Sequence, residues 1–317
     1  MQNNKPWLSK LMFLLMVLLF VICQAVLAAS SPTEDISKIG AGARPMGMGK
    51  AFVAVADDIN SLFLNPAGLG EATKFQFTSM YTSLFEGDLN YVVFAASNPF
   101  AFGSLGFGFI STGTGQIPSP TASSITYFDY YDRLFILSLA TKEPVLLGND
   151  LLRAGINLKY FSKGFSDAAN SHGAGVDADL GIKLTFKNGI SLAANAQNFL
   201  GSGMVWNTGA VDDIPAVLKI GMSGFILDRL LLLAADCDIP LSSNMPLPLH
   251  AGLEYRMNQY LTMRAGLEQV LSASSSVSTN ATAGIGLCLS SFRFDYSYHP
   301  YRENGISAAH FISFTVL

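Results

Sequence analysis

Two groups of residues in this 317-residue chain are candidates for chemistry. The first is the run Gly40-Ala-Gly-Ala-Arg44-Pro-Met-Gly47-Met-Gly49-Lys50, with the adjacent carboxylates Asp57 and Asp58 shortly after it. Glycines leading into a lysine suggest a phosphate cradle, which requires G-x-x-x-x-G-K-[ST]. Here Arg44 stands where the first glycine belongs and Ala51 follows Lys50, so the cradle fails. A dinucleotide fingerprint fails too, because no strand precedes Gly40 and residue 45 is proline. The run therefore reads as closely packed backbone, and Asp57 and Asp58 as a capping and anchoring pair with no catalytic partner beside them. The second group is His250, Glu254, Arg264 and Glu268. A buried polar network suits these residues better than catalysis, since neither they nor His172, His299 and His310 lie beside a recognisable serine motif. Cys23, Cys237 and Cys288 are too scattered for a zinc site, which takes three or four ligands at close spacing. No catalytic residue, metal or cofactor is expected.

The elements that must carry these residues are strands. From about Phe75 to the last residue, fourteen short segments alternate apolar and polar side chains. In the sixth, Val176, Ala178, Leu180, Ile182 and Leu184 fall on one face and Asp177, Asp179, Gly181, Lys183 and Thr185 on the other. A period of two places one face against lipid and the other in a lumen. The segments Leu247–Arg256 and Leu261–Val270 allow a register to be predicted. A turn at Asn258 to Tyr260 sets Glu254 opposite Arg264 and His250 opposite Glu268. A shift of two would oppose Arg256 and Arg264, a destabilising like-charge pair. Internal salt bridging that seals the barrel is favoured here over a polar conduit wall.

Composition points the same way. Charged residues make up 13% of the chain, against roughly 25% in soluble proteins, yet mean hydropathy is only +0.36. Past the N-terminus no apolar run approaches the ~20 residues of a spanning helix. The 29 glycines and 23 phenylalanines suit small lumenal residues and lipid-facing rings, and a net charge of −4 argues against a nucleic-acid partner. At the N-terminus, Lys5 and Lys10, the apolar stretch Leu11 to Ile22 and Val26-Leu27-Ala28 read as an export signal cut after Ala28.

The blocks Gly42-Ala-Arg44-Pro-Met-Gly47-Met-Gly49, Ala51-Phe-Val-Ala-Val-Ala-Asp57-Asp58 and Asn65-Pro66-Ala67-Gly-Leu69 resemble the N-terminal signature of the PorV/PorQ family, which belongs with the FadL-like outer-membrane proteins. The resemblance implies an all-β membrane protein: a 14-stranded antiparallel transmembrane β-barrel with an N-terminal lumenal plug containing short helices. On this basis residues 1–28 are the signal, 29–72 the plug and 73–317 the barrel. Arg44, Gly47, Gly49, Asp57, Asp58, Asn65, Pro66 and Ala67 form the plug motif, and His250, Glu254, Arg264 and Glu268 a lumen network. We expect short helical pieces from Gly47 to Leu64, ended by an Asn-Pro-Ala turn that hands the chain to the first strand. Long connections at Thr112 to Ile125, Gly201 to Pro215 and Ile239 to Pro246 are expected at the cell surface. Tyr127 to Tyr131 and Tyr296, Tyr298 and Tyr301 are expected in interfacial girdles. The implied place is the bacterial outer membrane, with its lipid as a partner. The implied function is passive passage or binding of a hydrophobic small-molecule ligand. The alternative is an accessory role in type IX secretion, with exported proteins or secretion-system subunits as partners.

Overall fold

A computed structural model describes residues 35–120, 125–142, 144–147, 150–166, 171–241, 245–271, 277–301 and 308–317. The expected export signal lies outside the described residues. The strands are β1 (Gln76–Leu84), β2 (Leu89–Pro99), β3 (Ser104–Pro120), β4 (Ile125–Ala140), β5 (Val145–Leu147), β6 (Asp150–Phe165), β7 (Ser171–Thr185), β8 (Ser191–Gln197), β9 (Met204–Trp206), β10 (Val211–Asp212), β11 (Val217–Ile226), β12 (Leu231–Pro240), β13 (Leu247–Arg256), β14 (Leu261–Leu271), β15 (Val277–Leu289), β16 (Phe292–His299) and β17 (Ala309–Val316). All except the short β5, β9 and β10 form the wall, a closed 14-stranded antiparallel barrel. It closes where β1 meets β17, with Phe77 opposite Val316 and Tyr81 opposite Ile312. Closure leaves the wall no unpaired edge in lipid.

The alternation sorts the side chains. On β7, Val176, Leu180 and Ile182 are exposed outward, while Asp177, Asp179 and Lys183 are buried inside. Phe94, Phe107, Leu137, Leu158, Leu267 and Phe294 continue the outward apolar surface on other strands. The expected register also holds: Glu254 is opposite Arg264 and His250 opposite Glu268.

The connections differ between the two ends. Residues 227–230, 257–260 and 290–291 make tight turns at the end where β1 begins and β17 finishes, whereas the longer connection 198–216 lies at the other. Short turns mark the periplasmic end and long loops the outside of a bacterial barrel. Two of the expected loops prove more ordered. Most of Thr112 to Ile125 is paired strand, because β3 and β4 stay in register out to Pro120 and Ile125 past a bulge between Thr114 and Ile117. Gly201 to Pro215 contains the β9–β10 hairpin, seated on the end of β7 through Gly173–Trp206 and Gly175–Met204 pairing. Of the third, residues 242–244 lie outside the described set.

The densest packing lies inside the barrel. Residues 35–72 run through the lumen, and Ala43, Met46, Met48, Ala51, Phe52, Ala54, Ile59 and Leu62 are fully buried. The helical pieces differ from expectation: Ile36–Ile39 and Pro66–Glu71 are 3-10 turns, and Ala43–Gly47 and Ser61–Leu64 are short α-helices. The stretch from Met48 to Asn60 is turns, because Gly49 and Lys50 take positive φ, +64° and +67°, and end the preceding helix. Asn65 is extended, and Pro66 starts a further turn instead of leading directly into β1. Proline suits a first helical position, where its missing N–H is no loss.

Candidate functional site

The inward carboxylates and guanidinium groups near the periplasmic end join into a closed ring. Arg44 Nε donates to Glu254 Oε2 at 2.7 Å, and Arg264 Nε reaches the same oxygen at 2.7 Å. Arg264 Nη1 continues to Asp295 Oδ1 at 2.8 Å, and Arg293 Nε takes Asp295 Oδ2 at 2.8 Å. Arg293 Nη2 then donates to Asp58 Oδ2 at 2.6 Å, and Arg44 Nη1 to that oxygen at 2.9 Å, closing the circuit. Asp57 stands outside the ring, both oxygens on Arg44. Three cations alternate with three carboxylates, so each buried charge has opposite neighbours, the condition for tolerating charge at membrane depth. The ring ties the lumenal segment, through Arg44 and Asp58, to β13, β14 and β16. Burial alone would lower the affinity of Arg44 for its proton, but Asp57, Glu254 and Asp58 outweigh it and raise the value. Burial likewise opposes the charged form of Asp58, yet Arg293 and Arg44 hold its carboxyl well below the usual range.

A second cluster fastens the glycine-rich turn. His250 Nδ1 lies 2.8 Å from Gly49 O, and Lys50 Nζ lies 2.9 Å from Glu268 Oε1. His299 Nε2 meets Glu268 Oε2 at 2.7 Å. Asp236 Oδ2 accepts from the backbone N–H groups of Phe52 and Val53. Gly49 itself has no room for a side chain: a Cβ there would sit 2.7 Å from Leu267 N. Gly47 O accepts from Thr282 Oγ1 at 3.2 Å.

On the opposite wall, amide side chains take the carbonyls that end helix Ser61–Leu64. Asn157, Gln197 and Asn195 donate to Leu62 O, Phe63 O and Leu64 O. The last carbonyls of any helix lack partners within it, and here the barrel supplies them. Asn65 accepts from Ala67 N and donates to Val53 O and Ile182 O, which places the Asn65-Pro66-Ala67 turn against β7. Lys183 Nζ donates to Val55 O and Ala56 O. Asp35, at the head of the segment, accepts from Asn198 Nδ2 at 2.8 Å, with Lys159 Nζ 3.6 Å away. Burial alone would raise the Asp35 carboxyl, but Lys159, Asn198 and Ser37 overcome it and hold the pKa at about 2.

The two groups singled out in the sequence are regrouped: Arg44, Asp57 and Asp58 of the first meet Glu254 and Arg264 of the second at the ring, while His250 and Glu268 surround Gly49 and Lys50. Sequence reasoning placed Asp179 and Lys183 on the inward face of β7 without giving them a role, and it missed Arg293, Asp295, Lys159 and Asp236. Their only signal was a charged residue at an inward position of an alternating strand. Tyr301 leaves the expected girdle, since its hydroxyl donates inward to Ile39 O at 2.6 Å. Tyr127, Tyr296 and Tyr298 are exposed on the wall.

Met80, Leu84, Tyr91, Val93, Ala95, Ile110, Leu134, Ile136 and Phe161, on β1 to β4 and β6, form an apolar inner wall. Ile36, Met46, Ile59, Leu62, Phe63 and Leu69 of the lumenal segment fill it. A cavity of about 370 Å³ opens beneath the ring at the periplasmic end, and a space of about 10 Å³ lies beside Ile36, Phe161, Met204 and Ile214.

No family model matches the chain, and no curated protein matches its sequence. Solved structures share its fold. The CymD monoaromatic hydrocarbon channel has a TM-score of 0.61 at 13% identity, over 88% of this chain and 97% of that one. The Pseudomonas putida toluene transporter TodX has a TM-score of 0.54 at 13% identity, over 87% and 97%. A Pseudomonas aeruginosa FadL homologue has a TM-score of 0.54 at 13% identity, over 92% and 99%. The fold is that of the FadL-like barrels.

Proposed function

We propose that this barrel passes or binds hydrophobic small molecules, with residues 35–72 as a plug standing in the path. The apolar inner wall of β1 to β4 and β6 carries this reading. Barrel interiors are ordinarily polar, and an apolar lumenal wall gains nothing from facing a water channel. It suits a solute that leaves water to travel along it. The plug motif residues Arg44, Asp57, Asp58 and Asn65 hold the charged side of the segment in place, while its apolar side covers the wall. The PorV/PorQ-like blocks supply these anchors, which supports a plug role for them. On this reading passage is passive and follows the solute's own gradient. A monoaromatic hydrocarbon is the natural first probe, because two of the structural relatives are named for such cargo.

Native mass spectrometry of the protein taken gently from its own outer membrane tests this. A co-purified apolar small molecule, displaced by excess monoaromatic hydrocarbon, supports passage. Exported proteins or secretion subunits bound at fixed stoichiometry, with no apolar ligand, would replace it by the type IX secretion role.

A further inference from the structure

The ring leaves its spare hydrogen-bonding capacity pointed one way. Every carboxylate oxygen of Asp57, Asp58, Glu254 and Asp295 already accepts a hydrogen bond. Arg44 donates through all three of its nitrogens. Arg264 and Arg293 are different. Arg264 uses Nε and Nη1, and Arg293 uses Nε and Nη2, which leaves Arg264 Nη2 and Arg293 Nη1 without an acceptor among the described residues. Both side chains line the 370 Å³ cavity, as does Arg256. Arg256 has no carboxylate in ion-pair reach among the described residues and lies 5.4 Å from the centre of the Phe225 ring. Thr262, on the cavity wall, offers a hydroxyl.

Three guanidinium groups with unused N–H donors therefore face one cavity whose carboxylates are already taken. Guanidinium forks match the geometry of phosphate and carboxylate oxygens, and the cavity is within the size range of small-ligand sites. We propose that this periplasmic vestibule binds an oxyanion, a phosphate group above all, through Arg256, Arg264 and Arg293. The phosphate belongs either to a free anion or to a phospholipid headgroup at the periplasmic rim. The proposal is independent of what travels along the apolar wall. It adds a consequence for the plug, because Arg264 and Arg293 also hold the ring, so the bound anion and the docked segment share partners.

Cys288 is a reporter already in place: it is a free thiol that lines the same cavity. The rate of its modification by a small charged thiol reagent is measured on the full chain in detergent, with the site resolved by peptide mass spectrometry. Inorganic phosphate should slow the reaction saturably, at least threefold, while chloride at equal ionic strength leaves it unchanged. Arg256→Gln, at an exposed rim position outside the ring, should abolish this protection, read as the ratio of the variant's own rates with and without phosphate. Protection by free phosphate identifies a soluble anion. Protection seen only in nanodiscs of phosphatidylglycerol, and not of an uncharged lipid, identifies the headgroup. Either result supports the site. Equal slowing by chloride, protection retained in Arg256→Gln, no protection in either setting, or a thiol that no reagent reaches would each overturn it.

Discussion

Arg44 and Glu254 form a two-pronged ion pair between the lumenal segment and the barrel wall, Nε to Oε2 at 2.7 Å and Nη2 to Oε1 at 3.0 Å. They stand 210 positions apart in the chain. The pair is buried on both sides, so neither charge can fall back on water. Removing one member of such a pair leaves the other uncompensated and costs about 3–5 kcal/mol. Arg44→Gln should therefore loosen the segment while leaving the wall closed. Hydrogen exchange at residues 36–64 should rise steeply, with the strand amides unchanged. Arg44→Lys should not restore protection, because an ammonium cannot make both contacts.

Within the ring, losses should not add. Arg264 serves Glu254 and Asp295 together, so Arg264→Gln already breaks one of the two ion pairs that Asp295→Asn would break. The double variant should be less destabilised than the sum of the single ones, with a coupling of about 0.5–3 kcal/mol. A denaturant series on the four proteins measures it, and strict additivity would show that the ring is not one unit.

Gly49 is held at φ +64° with Leu267 backbone where a Cβ would sit. Gly49→Ala combines left-handed strain with overpacking against backbone, together roughly 2–4 kcal/mol. Gly209, also at positive φ, has nothing within 4 Å of its would-be Cβ. Gly209→Ala should lose only the strain. Proteolytic release of the lumenal segment should separate the two, with Gly49→Ala cleaved early and Gly209→Ala like the parent.

Asn65 holds the turn before β1 with one accepted and two donated hydrogen bonds. Asn65→Ala removes the side-chain donor from the buried Val53 carbonyl, at about 1–3 kcal/mol for a buried group left unpaired. Leak conductance in planar bilayers should rise in this variant and further with Pro66→Ala. Unchanged conductance would tell against the turn as a fastening point of the plug.

Asp35 gives the segment an acid limit. Its folded pKa of about 2 lies below its ordinary value of 3.8, so its contribution is fully present above about pH 4 and is lost as pH falls toward 2. The difference corresponds to about 2 kcal/mol. Pepsin cleavage between Ile36 and Met46, normalised to a free peptide, should stay low at pH 4 and rise between pH 4 and pH 2. Asp35→Asn should already be cleaved at pH 4, with a flatter profile.

Sequence alone determined the barrel. Alternation on each strand is a local property, set by the period of two, so β7 can be sorted into lipid and lumenal faces from its own residues. Register on β13 and β14 was legible as well, since the pairing shifted by two would oppose Arg256 and Arg264. The lumen was not legible. Knowing that Arg293 and Asp295 point inward does not say that they meet Asp58 and Arg264, because that depends on where a non-periodic segment crosses the lumen. Nor does alternation reveal that Tyr301 turns in to Ile39, or which apolar residues of the segment meet the inward apolar residues of β1 to β4 and β6. Asp58 and Arg293 lie 235 positions apart and Ile39 and Tyr301 262 apart, and closure of the barrel around the segment decided these contacts.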